Sequence, residues 1–384
     1  MNNLSAQKKI PLKWLVTLSV VFLLIILVVG LKPRGFRFFN KVNWINSQPG
    51  MRFSGFGIAY TDPLGNMMAF QKSDTNGFSI EIALKPESYR GRRFKFILAI
   101  DNGKDSEQLV VGQWRSWLIV MNGDDYAHKK KINRVSADLA STSPATIFVA
   151  ITSGQEGTRI FFDGKPVVAK KDLRLKIPAG GKTRLILGNS VYGKHPWRGD
   201  VYGLALYNYQ LFSQEAASHF IGWSLGQNFA FARNEKPSML YLFDEKGGTI
   251  ALDHAEGRHH LELPSMMRVF EPRVLSLPAV EFMSVSGFIK DIVVNLLGFM
   301  PLGFVLFATL VRFGGTFDRR AILFTVVFCF FVSLFIEILQ SWIPSRTSSI
   351  LDLVLNTLGG WVGAIGCRFF ATVQRFRVPG SKVD

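Results

Sequence analysis

Four runs of apolar residues lie at the two ends of the chain, and each is long enough to cross a bilayer. The first holds eighteen uncharged residues between Lys13 and Lys32, about the length that crosses a ~30 Å hydrocarbon core. The other three follow one another between residues 291 and 370. The pattern predicts an α-helical transmembrane bundle made of one N-terminal anchor helix and three C-terminal spans.

Residues from about Gly50 to Leu263 show a different pattern, in which short stretches rich in Val, Ile, Phe and Tyr alternate with turn residues. Seven such stretches occur, at residues 78–84, 94–101, 117–123, 146–152, 158–167, 183–189 and 200–208. Many short strands without a helical period predict an all-β jelly-roll sandwich. The Asp163-Gly164 pair predicts a hairpin with a type I′ turn, which needs positive φ at both central residues.

Together these patterns predict a multi-domain membrane protein of six segments. They are a cytoplasmic N-terminus (1–12), a transmembrane anchor (13–31), a jelly roll (40–263), a connector (264–288), a three-helix membrane domain (289–373) and a cytoplasmic tail (374–384).

The charge balance agrees with a membrane protein. The chain carries 45 Lys and Arg against 28 Asp and Glu, a formal net charge of +17. Such an excess fits either nucleic acid or an anionic membrane, and the four apolar runs favour the membrane. We therefore expect membrane lipids, and no nucleic acid, among the partners. Both cysteines lie in apolar runs, so the jelly roll has neither a disulfide framework nor a cysteine-based metal site.

The positions of the basic residues predict the orientation of the chain. Of the two loops that join the C-terminal spans, one carries Arg346 alone. The other loop and the tail together hold seven basic residues, Arg312, Arg319, Arg320, Arg368, Arg375, Arg377 and Lys382. Because basic segments stay in the cytoplasm, we predict a multi-pass protein of the cell (inner or plasma) membrane. Both termini are then cytoplasmic and the jelly roll is extracytoplasmic.

Polar residues inside the C-terminal spans are the main functional signal. An ionisable side chain at the centre of a spanning helix costs at least about 2.5 kcal/mol, so its presence needs a reason. Each of the three spans brings an acid and an amide that lie one helical turn apart and therefore share a helix face. The pairs are Asp291 and Asn295, Glu337 and Gln340, and Asp352 and Asn356.

With the predicted orientation, these six residues lie at one depth in the outer half of the membrane, and Arg346 lies at the mouth. The pattern predicts one pocket that binds a ligand. Two other interpretations stay open: the polar groups hold the helices together through hydrogen bonds, or a divalent metal balances the excess of carboxylates.

The residues from Asp291 to Gly363 resemble the VanZ-like membrane family. The family pattern is D-x3-N-x3-F-x-P-x-G followed by E-x2-Q-x3-P-x-R-x5-D-x3-N-x2-G-x3-G. It is present here at Asp291, Asn295, Phe299, Pro301, Gly303, Glu337, Gln340, Pro344, Arg346, Asp352, Asn356, Gly359 and Gly363. The resemblance implies a role in reduced sensitivity to the glycopeptide teicoplanin, and it implies a site without naming a reaction.

The β-rich region resembles the laminin-G-like, concanavalin A-like jelly-roll family. The matching pieces are residues 50–55, the hairpin around Asp163-Gly164, residues 187–189 and residues 197–208, followed by the turn at 211–215. The stretch Leu240-Tyr-Leu-Phe-Asp244 looks like the strand that usually begins such domains, yet here it comes last. We expect it to return and close the sheet in a permuted arrangement, with a linker packed elsewhere as the alternative.

This resemblance implies a binding domain. Trp114, Trp117, Tyr192 and Trp197 are candidates for stacking on sugar rings, although such aromatics are more often core residues. A Ca²⁺ ion at Asn189 or Asp200 is the only cofactor that the resemblance suggests. The E-x-D-x-E strand of the related glycosidases is absent from the sequence, which favours a non-catalytic domain. His254, His259 and His260 beside Asp253 indicate a solvated loop in preference to a metal site.

Three hypotheses about function follow. The first is a non-enzymatic envelope protein, in which the jelly roll binds a cell-wall glycan or surface partner and the bundle binds a lipid-linked precursor or glycopeptide-related ligand. The second is an enzyme or transporter of polyprenyl-linked intermediates that uses the membrane-embedded acids. The third is a scaffold whose membrane part only anchors the lectin-like domain.

Overall fold

The computed structural model describes residues 11–33, 38–64, 77–91, 93–141, 146–226, 229–277, 285–314 and 319–376. The predicted cytoplasmic N-terminus up to residue 10, the tail from residue 377, residues 278–284 of the connector and loop residues 315–318 lie outside the described residues. The chain forms two compact units. A β unit spans Phe36–Glu271, and a helical unit combines Met1–Gly35 with Pro272–Asp384.

The β unit contains two antiparallel sheets of eight strands each. In the first sheet the order is β1-β2-β13-β4-β9-β10-β11, and β14 also pairs with β13. Its strands are β1 (Val42–Trp44), β2 (Met51–Ser54), β4 (Phe78–Pro86), β9 (Ile147–Gly154), β10 (Gly157–Phe162), β11 (Lys165–Lys170), β13 (Arg198–Tyr207) and β14 (Met239–Tyr241).

In the second sheet the order is β15-β16-β3-β12-β5-β6-β7-β8. Its strands are β3 (Ala59–Thr61), β5 (Lys95–Asp101), β6 (Leu109–Trp114), β7 (Trp117–Asn122), β8 (Arg134–Asp138), β12 (Arg184–Leu187), β15 (Ile250–Ala251) and β16 (Leu261–Glu262).

Alternation along the strands explains how the two sheets pack. In β4 the side chains of Ile80 and Ile82 enter the core between the sheets, and in β5 Leu98 and Ile100 do the same. Successive strand residues point to opposite faces, so the intervening positions form the outer faces. The jelly-roll sandwich predicted from the pattern is therefore confirmed.

Two local predictions in the β unit are also confirmed. Asp163 and Gly164 have φ values of 49° and 72° and join β10 to β11, as a type I′ turn requires. The segment after residue 238 returns to the sandwich, because β14 pairs with β13 and β16 pairs with β3. The permuted arrangement thus closes both sheets.

A helix covers a polar network on the outer face of the first sheet. Helix α2 (Ser213–Gly226) and a 3₁₀ helix (Ala230–Glu235) lie over this face. Beneath them Glu81, which is fully buried, accepts hydrogen bonds from the Tyr207 hydroxyl (2.9 Å) and from Nδ1 of His219 (2.9 Å). His219 is only 5% exposed, so the pair is closed to solvent and ligand.

The described residues of the helical unit form four helices that are each long and apolar enough to span a bilayer. They are α1 (Leu12–Leu31), α3 (Val285–Gly314), α4 (Arg319–Ser341) and α5 (Ile350–Phe376). Near the start of α1 the Ser19 hydroxyl contacts the Thr309 hydroxyl near the end of α3. At the end of α1, Gly30 meets Gln340 near the end of α4. Helices α1 and α4 therefore run in one direction, antiparallel to α3.

Glycines set the close packing of α5 on α3. A Cβ atom at Gly359 would lie 2.2 Å from the carbonyl oxygen of Leu296, and one at Gly363 would lie 2.1 Å from that of Met300. Only a residue without a side chain permits backbones to approach this closely. Because 296 lies beside 359 and 300 beside 363, α3 and α5 are parallel.

Candidate functional site

The predicted polar residues of the membrane spans gather at one end of the helical unit. Gln340 and Glu337 lie in the last turns of α4, and Asp352 lies in the first turn of α5. Asp291 and Arg346 are both close enough to Glu337 to interact with it electrostatically. Asp291, Glu337 and Arg346 are thus near one another, as helix spacing led us to expect, and the role of these residues stays a prediction.

Glu337 holds the start of α5 and the hairpin before it. Its carboxylate is 1% exposed and accepts the backbone N–H of Ser349 at 2.7 Å. The Ser348 side chain also hydrogen-bonds to this carboxylate. Ser349 in turn accepts the N–H of Leu351, as a residue that caps a helix N-terminus does. A buried carboxylate at this position therefore satisfies N–H groups that the helix leaves unpaired.

Gln340 and Arg346 bind the end of α1. Gln340 donates its Nε2–H to the carbonyl oxygen of Gly30 (2.8 Å), and Arg346 donates an Nη2–H to the same oxygen (2.6 Å). The last four carbonyl groups of a helix have no intrahelical partner. Two of the predicted ligand-binding residues thus complete α1 and fasten it to α4 and the hairpin.

The remaining amides differ from each other in their environment. Asn356 is buried and donates its Nδ2–H to the Ser333 hydroxyl (3.0 Å), which joins α5 to α4. Asn295 is half-buried, and its Nδ2 atom has no solvent exposure and no hydrogen-bond partner among the described residues. An amide donor in this state normally finds a protein group, a water molecule or a ligand.

The connector closes over the hairpin. Ser276 donates its hydroxyl to the carbonyl oxygen of Ser348 (2.6 Å), and Leu275 donates its N–H to the Ser348 hydroxyl (2.9 Å). Ser276 also pairs with Ser349 as an isolated parallel bridge. The polar end of the helical unit therefore has a fixed backbone cover.

Sequence analysis missed the serines and Gly30 that partner the predicted residues. Ser333 precedes Glu337 by one helical turn on the same face, so its spacing could have revealed it. Gly30 offers only a backbone carbonyl, which no side-chain pattern reports.

The four aromatic residues proposed for glycan stacking lie in two environments. Trp197 is fully buried in the core between the sheets, where its Nε1–H bonds to the Gln113 side chain at 2.8 Å. Tyr192 is 2% exposed and packs against Tyr60 and Ile186. A stacking role for Trp197 and Tyr192 is wrong in this structure, because a sugar ring has no access to either face of a buried side chain.

Trp114 and Trp117 lie together on the outer face of the second sheet. They are cross-strand partners at the ends of β6 and β7, and cross-strand partners share a face. Trp117 is 40% exposed. The guanidinium of Arg115 lies 4.8 Å from the centre of the Trp114 ring, within the range of a cation–π contact. This pair is accessible to a ligand.

The two residues suggested for calcium are engaged with protein groups. Asp200 binds Arg52 through both carboxylate oxygens, at 2.7 and 2.8 Å, and accepts the Tyr202 hydroxyl. The Asn189 side-chain oxygen accepts the N–H groups of Ser190 and His195. A Ca²⁺ ion at these residues stays an untested expectation.

Comparison with known families assigns both parts of the chain. Residues 249–371 match the profile of the VanZ/LLP1 family. Residues 65–217 match that of the concanavalin A-like lectin/glucanases superfamily. Both resemblances drawn from the sequence motifs are confirmed. With the four candidate spans, they identify a multi-pass membrane protein that carries a concanavalin A-like domain. No curated protein sequence matches the chain.

Several solved structures show distant similarity. The receptor-binding domain of botulinum neurotoxin C/D mosaic serotype is 12% identical, with a TM-score of 0.38 over 50% of this chain and 47% of that one. The CBM40 of Ruminococcus gnavus IT-sialidase, bound to alpha2,3 sialyllactose, is 13% identical, with a TM-score of 0.35 over 44% and 96%. The chain spans about half the length of the toxin structures. Similarities at these levels carry no argument about function.

Proposed function

We propose that the protein is a non-enzymatic membrane protein of the cell envelope that binds a glycan through the outer face of its second sheet. The exposed Trp117 beside Trp114 carries this proposal. An indole presents a large rigid apolar face and one N–H donor, which suits the apolar face of a sugar ring. Arg115 adds hydrogen-bond donors next to the rings.

A glycan array with the full-length protein in nanodiscs tests this proposal. We expect Trp117→Ala to weaken binding to the selected glycan by roughly two- to tenfold, the equivalent of an aromatic contact of about 0.5–1.5 kcal/mol. Trp117→Phe should retain part of the binding. Phe212 is 50% exposed at another position, so Phe212→Ala is the matched control. Equal affinity in Trp117→Ala and wild-type protein would refute the assignment of this face.

The helical unit supports a second part of the proposal. We propose that the polar cluster at its end binds the head group of a lipid-linked envelope precursor, which would account for the glycopeptide phenotype that the family resemblance implies. The buried Nδ2 of Asn295, without a partner among the described residues, supports a ligand there. Asp291 is only half-buried and lies at the same end, which supports contact with sugar or peptide groups.

The orientation is part of the same proposal. The C-terminal end of α3 carries Arg312, and the start of α4 carries Arg319 and Arg320. The polar cluster lies at the opposite end of these helices. By the positive-inside rule the basic end is cytoplasmic. The cluster then lies on the outer-leaflet side of the membrane. The chain also leaves α1 and re-enters α3 at this end, which supports an extracytoplasmic β unit.

Two asparagines provide a matched test of the precursor site. Asn295→Leu removes a donor without a partner, so we expect unchanged or higher thermal stability together with lost crosslinking to a photoactivatable polyprenyl-diphosphate sugar. Asn356→Leu breaks the bond to Ser333 and should lower stability. If Asn295→Leu crosslinks as well as wild type, the polar groups serve helix packing alone. Turnover of the labelled lipid by wild-type protein would favour the enzyme or transporter hypothesis.

A further inference from the structure

Three side chains lie close together in the segment after residue 238, which returns to the sandwich and is called the returning segment below. Asp244 and Glu245 follow β14, and His254 follows β15. Each offers one ligand atom, and these three atoms lie within 4.8 Å of one another. Glu245 and Asp244 precede His254 by nine and ten positions in the sequence, so only the fold brings the three side chains together.

Backbone contacts hold the three residues in place. Glu245 accepts the N–H of Leu252 through Oε1 (2.5 Å), which ties the two arms of the segment together. The backbone N–H of His254 donates to the carbonyl oxygen of Leu240 (2.8 Å). This bond fixes the backbone at His254 and does not involve the imidazole. Nε2 of His254 lies 3.9 Å from Oδ1 of Asp244, too far for a hydrogen bond.

The second oxygen of Glu245 lacks a partner. Oε2 has no solvent exposure and no hydrogen-bond partner in the part of the chain that the structure describes. A buried carboxylate oxygen without a partner is unfavourable, because its lost hydration is not replaced. A cation at this point would remove that cost.

We propose that Asp244, Glu245 and His254 bind a divalent transition-metal ion of the Zn²⁺ type. One imidazole and two carboxylates form a ligand set that Zn²⁺ accepts, with a water molecule in the fourth position. Ca²⁺ takes six to eight oxygen ligands, so an imidazole disfavours it. Metal–ligand bonds of about 2.0–2.2 Å require the side chains to close by roughly 1 Å. Asp244 and His254 are partly exposed, so they are able to make this movement.

The neighbouring residues do not belong to the site. Asp253 uses its carboxylate to accept the N–H groups of Leu240, Ala255 and His259. His260 accepts the N–H of Asp253 through Nδ1. His254 also lines a surface pocket of about 560 Å³, which gives an ion access from solvent.

The metal would fasten the returning segment. It would link the residues after β14, which pairs with the first sheet, to those after β15, which belongs to the second sheet. A ligand that binds only the folded state raises stability by mass action, so the ion should raise the unfolding temperature.

Calorimetry and thermal unfolding of chelator-treated full-length protein in detergent test this site with Zn²⁺ as the probe. We expect one Zn²⁺ ion to bind and to raise the unfolding temperature. Loss of a side chain that only orients a metal ligand weakens metal binding roughly 10–100-fold. Because His254 and Asp244 are proposed as ligands themselves, His254→Ala and Asp244→Asn should weaken Zn²⁺ binding by more than this. His128→Ala is the control, because His128 is another exposed histidine beside a carboxylate, that of Asp125.

Each result of these measurements either supports or overturns the proposed Zn²⁺ site. Loss of the Zn²⁺ response in His254→Ala and Asp244→Asn, with retention in His128→Ala, supports the site. A response that persists in His254→Ala, or a response to Ca²⁺ and not to Zn²⁺, overturns it. Absence of any response in wild-type protein also overturns it. Asp244 is the most exposed of the three residues, so its substitution keeps the test valid if His254→Ala fails to fold.

Discussion

The buried Glu81–His219 pair should make the β unit lose stability as pH rises. Burial alone would lower the pKa of His219, but the hydrogen bond to Glu81 and the charge of Glu81 outweigh it and raise this pKa above its ordinary value of 6.5; burial raises the pKa of Glu81. Both shifts mean that the folded pair holds a proton that the unfolded chain releases at lower pH. The stabilisation that His219 contributes is therefore fully present below about pH 6.5 and is lost as pH rises through its folded pKa, whereas the contribution of Glu81 begins to be lost above its ordinary pKa of 4.5.

The magnitude follows from linkage. One proton held by the folded state alone changes the free energy of unfolding by at most about 1.4 kcal/mol per pH unit, so the loss between pH 6.5 and 8 is at most about 2 kcal/mol. Burial lowers the pKa of Lys194 to about 8, and this group acts in the opposite sense at higher pH. Lys194 acts only near the upper end of the interval from pH 6.5 to 8, so the difference in pH slope between the wild-type protein and Glu81→Gln isolates the pair.

Urea unfolding of the full-length protein measures this loss. Hydrogen exchange in peptides from β4 and α2 monitors it at the elements that carry Glu81 and His219. Glu81→Gln cannot hold the extra proton, so its stability should be flat across the interval. His219→Ala leaves a buried carboxylate and should cost about 3–5 kcal/mol. The control is Glu156→Gln, which removes a half-exposed partner of Arg159 and should cost at most about 1 kcal/mol. An unchanged pH slope in Glu81→Gln would refute the reasoning.

Three further outcomes are expected. Gly363→Leu should lower the thermal stability of the protein in detergent, because a Cβ there meets the Met300 carbonyl at 2.1 Å, whereas Gly366→Leu on the same helix has free space and should behave as wild type. Gln340→Leu should cost only about 0.6 kcal/mol, the average for an interhelical hydrogen bond, and should speed hydrogen exchange at the end of α1. Asn295→Leu should separate stability from precursor binding, with crosslinking lost and the unfolding temperature maintained.

Periodicity was sufficient to predict the architecture. Alternating residues such as Ile80 and Ile82 are typical of a strand in a sandwich, and the unbroken apolar run from residue 14 to 31 has one structural solution in a bilayer. The type I′ turn at Asp163-Gly164 was predictable because its two central residues must adopt positive φ. These signals are local, so no knowledge of partners was needed.

The contacts between distant residues were not predictable in the same way. Trp197 looks like a sugar-binding side chain in a Trp-Arg-Gly sequence, and only its position between two sheets shows that it is core. Glu81 and His219 are 138 residues apart, and their pairing depends on how α2 lies on the first sheet. The helix spacing of Gln340 predicted its face and not its partner, because the Gly30 carbonyl leaves no trace in a side-chain pattern.

The carbonyl of Gly30 also constrains the order of biosynthesis. Its two donors, Gln340 and Arg346, are encoded 310 and 316 positions later. At about 5–20 residues per second, a ribosome needs roughly 15–60 s to reach them. Throughout that delay the first helix waits in the bilayer with its terminus incomplete, while the intervening sandwich has time to fold. A nascent chain interrupted before residue 340 would therefore lack both donors to the end of α1.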